Sequence, residues 1–426
     1  MTTRIGELSM IQPLRHRDFR LVWVGETVSM LGDQFYLVAL PWVALALTGS
    51  TLTLGLVLMS AAIPRAALML VGGALSDRHD PRAIMVASST ARAALVGVLA
   101  LLVWTDGIQV WHLYLLGAGF GAADAFFQPA ALALVPRLVP GDRLEASNAL
   151  VMGSMAVTGM VGPAAAGVAI ATTGSALGFG IDAATFAFAV VTLLFVRGAR
   201  GVRGQAEGGK HAAGGTLGSI LDGLRYAAAD AQMRLVLIVV MAINFAVVGP
   251  FFVGIPAVVE GFDAGPMAYG AVLSAFGASA LVGAIVAGSL GARARMAVVI
   301  PSTALALAIG MILVGLAPGV AAAALGAVPL GAGVGVLQVA GMAWLQRRSE
   351  AAYLGRVMSL VMFAVMGLTP LSYALAGAVA ESGPAVLFIG SGAGMLVLAA
   401  IAARSRVWRA DPAPRPLETA ALGLSA

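Results

Sequence analysis

Cysteine is absent from the 426 residues, lysine occurs once, and histidine occurs four times. Without cysteine there is no disulfide, no thiolate metal site and no redox pair. Charge is scarce as well. Asp, Glu, Lys and Arg make up 11% of the chain against 60% hydrophobic residues, far outside the range of soluble globular proteins. A soluble chain of this length needs charged surface, so lipid is the solvent this composition suits. The formal net charge of +5 does not point to nucleic acid, because the basic residues are dispersed and no basic helix with interleaved aromatics appears. Also missing are His-Glu-x-x-His, Gly-x-Ser-x-Gly and a Gly-x-x-x-x-Gly-Lys-Ser/Thr frame around Lys210, which removes the common hydrolase and nucleotide-site readings. The histidines, at 16, 79, 112 and 211, fall at loops and span ends. The chain reads as a non-enzyme with no cofactor and no metal.

What is present is long apolar runs. A transmembrane helix needs about 20 mostly apolar residues. Scanning at that length predicts spans at 20–47, 53–75, 83–105, 110–135, 149–172 and 177–196, then at 235–259, 268–290, 297–316, 320–344, 357–380 and 384–403. The first run is too long for the apolar core of a signal peptide and reads as a retained span. The alternation of a membrane barrel is missing, so the spans are helical. With both termini cytoplasmic, every one of the 25 basic residues except Arg65 and Arg92 falls on the cytoplasmic side, the asymmetry expected of a bacterial inner-membrane protein.

The spans divide into two halves. Residues 1–196 form a first six-helix half and 235–403 a second. They are joined by a Gly-, Ala- and Arg-rich cytoplasmic linker at 197–234, with an amphipathic helix around Thr216–Ala229, and followed by a cytoplasmic tail at 404–426. Gly117-Ala-Gly119-Phe-Gly121 in span four recurs as Gly331-Ala-Gly333-Val-Gly335 in span ten. Gly162-Pro163 of span five has Pro370 in span eleven, and Leu40-Pro41-Trp42 of span one has Gly249-Pro250-Phe251 in span seven. Matches in three pairs of corresponding spans favour a duplication over chance. Parallel six-helix repeats with a site between them are the architecture of an alternating-access carrier.

Between spans two and three lies Gly72-Gly73-Ala-Leu-Ser-Asp77-Arg78-His79-Asp80-Pro81-Arg82. It resembles the signature of the major facilitator superfamily at this loop. The resemblance implies the twelve-helix, all-α fold of that family and a cytoplasmic gate built on Gly73, Asp77, Arg78 and Arg82. Gly73 would let two helices approach closely. The family usually has Gly where Asp80 stands, and the second-half counterpart Gly288-Ser-Leu-Gly-Ala292-Arg293 has no Asp. Leu31-Gly32-Asp33, Ala39-Leu40-Pro41-Trp42, Leu47-Thr48-Gly49-Ser50, the stretch Ala123 to Ala130, Leu134 to Pro140 and Gly223-Leu224-Arg225-Tyr226 resemble the branch that exports macrolides, tetracyclines and enterobactin. The Arg that many drug/proton antiporters carry in span four is missing. The span-five antiporter motif is partial, as Gly159-Met-Val-Gly162-Pro163-Ala-Ala-Ala-Gly167. Both departures bear on proton antiport more than on export.

An ionisable residue in a bilayer core is costly and by default marks a pathway or relay. Asp33 lies mid-span in one, Arg65 in two and Asp124 in four, with Arg92 toward the cytoplasm in three. Glu26 precedes Asp33 by two helical turns and shares its face. The functional reading gives Asp33, aided by Asp124, the uptake and release of protons, with Arg65 and Arg92 as counter-charges whose pairing changes with conformation. The alternative is that these are fixed ion pairs that orient helices. Asp182, nearer the outer end of span six, reads as structural. The second half offers amides and soft apolar groups instead: Asn244, Gln338, Met241, Phe251, Phe252, Met342, Met362, Phe363 and Met366. Met and aromatic walls suit bulky, varied ligands. The candidate substrate-cavity residues are Tyr36, Phe127, Gln128, Asn244, Phe251 and Gln338.

These observations predict a monomeric secondary exporter of an amphipathic, drug-like small molecule, exchanged for protons across the lipid bilayer. A dedicated exporter of a siderophore or self-made metabolite is the second reading. A non-transporting membrane receptor or scaffold is a third.

Overall fold

The structure, a computed structural model, describes residues 11–197, 230–291, 294–349 and 354–405. The expected amphipathic helix at 216–229, most of the linker and nearly all of the tail lie outside the described residues, as do the side chains of Asp77 and Phe363.

Among the described residues there are twelve helices long and apolar enough to cross a membrane. The first half contains α1 (Arg17–Thr48), α2 (Thr51–Arg78), α3 (Pro81–Trp104), α4 (Val110–Leu138), α5 (Leu144–Thr173) and α6 (Ser175–Leu194). In the second, α7 runs in three pieces, Ala231–Gly249, Pro250–Gly254 and Ile255–Glu260, followed by α8 (Gly265–Leu290), α9 (Met296–Gly315) and α10 (Val320–Arg348). α11 is broken into Leu354–Met366 and Thr369–Ala380, and α12 is Pro384–Arg404. Among the described residues there is no strand. In hydrocarbon only a helix satisfies every backbone polar group within its own segment.

Short polar signals set the turns. Gly49 closes α1 in the left-handed region at φ 61°, and Ser50 caps α2 by accepting from the Thr53 N–H at 3.1 Å. That accounts for the Thr48-Gly49-Ser50 stretch. Asp80, where the resembling family has Gly, caps α3 ahead of Pro81 and accepts from the Arg82 N–H at 3.0 Å. Trp104 and Trp111 stand exposed at the end of the bundle away from the chain termini, where interfacial aromatics belong.

The glycine repeat has a matching structural repeat. Gly117 and Gly121 of α4 lie against the α2 backbone and side chains at Val57, Ser60 and Ala61, and Gly119 faces Leu95 of α3. Gly331 and Gly335 of α10 lie in the same way against Phe276 and Ala280 of α8, and Gly333 faces Thr303 of α9. Small residues let these helices approach backbone to backbone, where dispersion replaces the hydrophobic effect that lipid does not supply.

Contacts between the halves gather at the end away from the chain termini, along two seams. In one, Gly55 of α2 meets Gly377 of α11, and the Thr51 hydroxyl donates to the Gly377 carbonyl at 2.9 Å. In the other, Gly159, Pro163 and Gly167 of α5, spaced one turn apart, receive Gly277, Gly270 and Pro266 of α8. There the Ala164 N–H donates to Ser274 Oγ at 2.9 Å. At the opposite end each half is tied to itself. Arg82 donates to the Leu193 and Leu194 carbonyls, both at 2.7 Å, and Arg348 pairs with Asp230 at 2.8 Å. Among the described residues, the contacts named between the halves therefore lie toward the far end, and at the end that carries the termini each half is tied to itself.

Candidate functional site: a charged cavity between the halves

The site begins with the two faces of α1. Gly25 and Gly32, two turns apart, receive Thr192, Thr185 and Asp182 of α6. The residues that follow each glycine, Glu26 and Asp33, therefore point away from α6, into a cavity of about 490 Å³. Arg65 of α2, Arg92 of α3, and Asp124, Phe127 and Gln128 of α4 complete the charged wall. The second half contributes Asn244, Val248 and Phe252 of α7 and Val365, Met366, Thr369 and Tyr373 of α11.

The ion pairs are unequal. Asp124 takes both cations: Arg65 Nε approaches Oδ2 at 3.0 Å and Arg92 Nη1 approaches Oδ1 at 3.3 Å. Arg92 is 3% exposed, donates also to Ser89 Oγ at 3.3 Å, and lies over the Phe127 and Phe186 rings at 4.1 and 4.4 Å from their centroids. A guanidinium so placed is stabilised by the ring quadrupoles as well as by the carboxylate. Asp33 makes no ion pair or hydrogen bond with another described residue, and Glu26 Oε1 is buried without a hydrogen-bond partner. Tyr36 stacks on Phe120 at 4.7 Å and forms the aromatic floor beside these acids.

Of the residues expected from sequence, Glu26, Asp33, Arg65, Arg92, Asp124, Tyr36, Phe127, Gln128 and Asn244 come together here. Phe251 does not. It is buried against Phe276 at 4.3 Å, and its neighbour Phe252 faces the cavity. The reason is the wide π-type turn at Pro250–Gly254, which delays the helix face by about one residue relative to an α-helix. Gln338 is exposed and off the cavity wall, because α7 and α11 build the second-half wall. Of the soft apolar residues, Phe252 and Met366 line the cavity, whereas Met342 and Met362 are exposed elsewhere. Gly73 was expected to make a close helix contact, but nothing lies within 4 Å of where its Cβ would stand. Gly72 makes the close approach instead, to Ala125 and Phe126 of α4. Arg78 is exposed and Arg82 clamps the end of α6. Tyr373 and Thr369 went unnoticed in the sequence. Their own spacing of four residues, on the second piece of α11, is the signal that marks one helix face.

Two sets of six membrane-spanning helices around a central cavity have the major facilitator fold. Over residues 8–419 the chain matches the family described as transmembrane secretion effector, and it belongs to that family. Its exporter relatives include macrolide efflux protein A of Streptococcus pyogenes, 26% identical over 179 residues, which are 42% of this chain and 44% of that protein. The multidrug efflux pump Tap of Mycolicibacterium fortuitum is 30% identical over 39% of this chain and 42% of that one. The match thus spans less than half the length of these relatives. An uncharacterised major facilitator transporter of Sinorhizobium fredii is 26% identical over 90% of this chain and 93% of its own. The fold is shared with the crystal structure of the nucleoside transporter NupG, at a TM-score of 0.70, 14% identity, and coverage of 90% of this chain and 98% of that one. These relatives are transporters rather than enzymes, and the chain is a multi-pass membrane protein of the major facilitator superfamily.

Proposed function

We propose that the protein is a proton-driven exporter of amphipathic compounds in the inner membrane, with both termini and the parted end of the cavity facing the cytoplasm. The observation that carries this reading is the lopsided cavity: an unpaired Asp33 on one wall, apolar and amide groups on the other. In the inward-facing state a compound enters between α7, α11 and the Tyr36–Phe120 stack while Asp33 gives its proton to the cytoplasm. Rocking of the halves about the α5–α8 and α2–α11 seams then opens the far end. There the compound leaves and Asp33 takes a proton from outside. Asp124, held by two arginines, sets the local field rather than carrying the proton itself. The basic residues at the terminus-bearing end support the orientation. One chain supplies the whole cavity wall, which supports action as a monomer.

The test is a panel of macrolides, tetracyclines and lipophilic dyes against a pump-deficient bacterial host, with the protein or its Asp33→Asn variant. Protection by the wild type that the variant loses supports proton-coupled export. Efflux that survives in the variant removes Asp33 from the coupling. Protection against nothing in the panel, with a secreted metabolite lost on deletion, favours the dedicated exporter. Binding without flux in proteoliposomes favours a receptor.

A further inference from the structure

We propose that Asp182 is a second proton-binding site, sealed in the α1–α6 seam directly behind Asp33. Asp182 is wholly buried, and neither of its carboxyl oxygens has a hydrogen-bond partner. The polar group beside it is the Thr185 hydroxyl, whose own proton goes to the Asp182 backbone carbonyl at 2.8 Å. With its proton so engaged, that hydroxyl offers the side chain its lone pairs, and a group that accepts from a carboxyl requires a proton on the carboxyl. An ionised carboxylate with no donor in apolar surroundings is among the least stable arrangements a protein can hold. The neutral acid removes most of that cost.

Its surroundings agree. From α1, the fields of the cavity-facing Asp33 and Tyr36 reach Asp182, and so does that of Arg92 on α3, but its charge is already engaged by Asp124 and two rings. α5 carries its one acid, Glu145, near its first turn. Arg92 is the one cation that acts on Asp182, and it makes no ion pair with it. Gly32 is what admits the group: a Cβ there would stand 2.8 Å from Asp182 Oδ1. The site thus lies on one side of the α1 backbone and Asp33 on the other. Exchange of its proton requires the α1–α6 seam to loosen. The inference stands on this seam alone and does not depend on what the cavity carries, so a failed efflux panel leaves it intact.

Infrared spectroscopy of the purified full-length protein in detergent tests it, in a Glu26→Gln/Asp33→Asn background that silences the cavity acids. The expected spectrum at neutral pH contains the carbonyl stretch of an unionised carboxyl group, which Asp182→Asn removes. That band shifts only slowly after transfer into heavy water, and Gly32→Ala, which wedges the seam, speeds the shift. If Asp182→Asn fails to fold, Thr185→Val is the second arm: it removes the acceptor and moves the band to higher frequency without abolishing it. A spectrum with no band that responds to either change overturns the proposal. So does a band that exchanges as fast in heavy water as one from a cavity acid, measured by restoring Asp33.

Discussion

A buried arginine held by one carboxylate and two aromatic faces makes its carboxylate hard to replace. Asp124→Asn keeps the shape of the side chain but leaves Arg92, almost without exposure, facing a neutral amide. Removing one partner of a buried pair typically costs about 3–5 kcal/mol, because the other charge stays behind. Arg65, with 42% of its side chain exposed, can turn into the cavity and is the smaller liability. The expected outcome is a marked fall in the thermal unfolding temperature of Asp124→Asn in detergent, and partial recovery when Arg92→Met is added. If the double variant is no more stable than the single one, the loss comes from packing around Asp124 rather than from a stranded charge. The sequence located all three ionisable residues in the membrane but not their pairing. Spacing along one helix says which face a residue occupies, whereas pairing across α2, α3 and α4 depends on how three helices are rotated against one another.

At the scale of the helix, glycine has two different meanings in this chain. Gly121 lies against the Ala61 backbone, so a methyl group there must push α2 away from α4, whereas nothing stands near Gly153. Gly121→Ala is expected to destabilise by about 1–3 kcal/mol through overpacking. Gly153→Ala gains up to about 1 kcal/mol of helix propensity. Opposite shifts of the two variants in one thermal melt check the distinction, and equal shifts would contradict it. A similar dependence on a neighbour appears where Ser372 of α11 enters the α7 ladder: its hydroxyl accepts from the Gly249 N–H at 2.8 Å and donates to the Phe245 carbonyl at 2.6 Å. Ser372→Ala removes both hydrogen bonds, at a cost of about 0.5–1.5 kcal/mol for each, again read from thermal unfolding. The twelve spans and the Gly-x-Gly-x-Gly repeat were legible because a helix in lipid reports its length and its small faces directly in the sequence. The π-type turn was not legible. Gly249-Pro250 announces an irregularity, but the Ser372 hydroxyl that bonds Gly249 and Phe245 comes from α11, far along the chain. At that turn Phe252 lines the cavity and the expected Phe251 does not.

Across the whole molecule, the state depends on how firmly the far end is shut. Besides the two glycine seams, Glu381 at the end of α11 accepts from the Ser50 hydroxyl at 2.6 Å and from the Leu52 N–H at 2.9 Å, at the start of α2. These bonds hold its carboxyl below the usual glutamate range. A depressed carboxylate stabilises the bonded state at pH above its unbonded value, and that contribution is lost as pH falls through the lowered one. The ordinary glutamate value is about 4.3, so the latch is intact and insensitive to acid throughout the range in which an exporter works. Loss of the acceptor charge by substitution, in contrast, weakens it throughout the range in which the parent carboxyl is ionised. Because the chain has no cysteine, a single Leu58→Cys on the cavity wall reports which end is open. Glu381→Gln is expected to increase labelling of Cys by a membrane-impermeant thiol reagent applied from the far side, as the population moves toward the far-end-open state. Acidifying the parent protein to about pH 5.5 leaves Glu381 ionised and is expected not to reproduce that increase through the latch. Placing the same test in Asp33→Asn separates the remaining pH response of the cavity from the latch. If Glu381→Gln leaves the labelling rate unchanged in both backgrounds, the two glycine seams alone hold the far end closed.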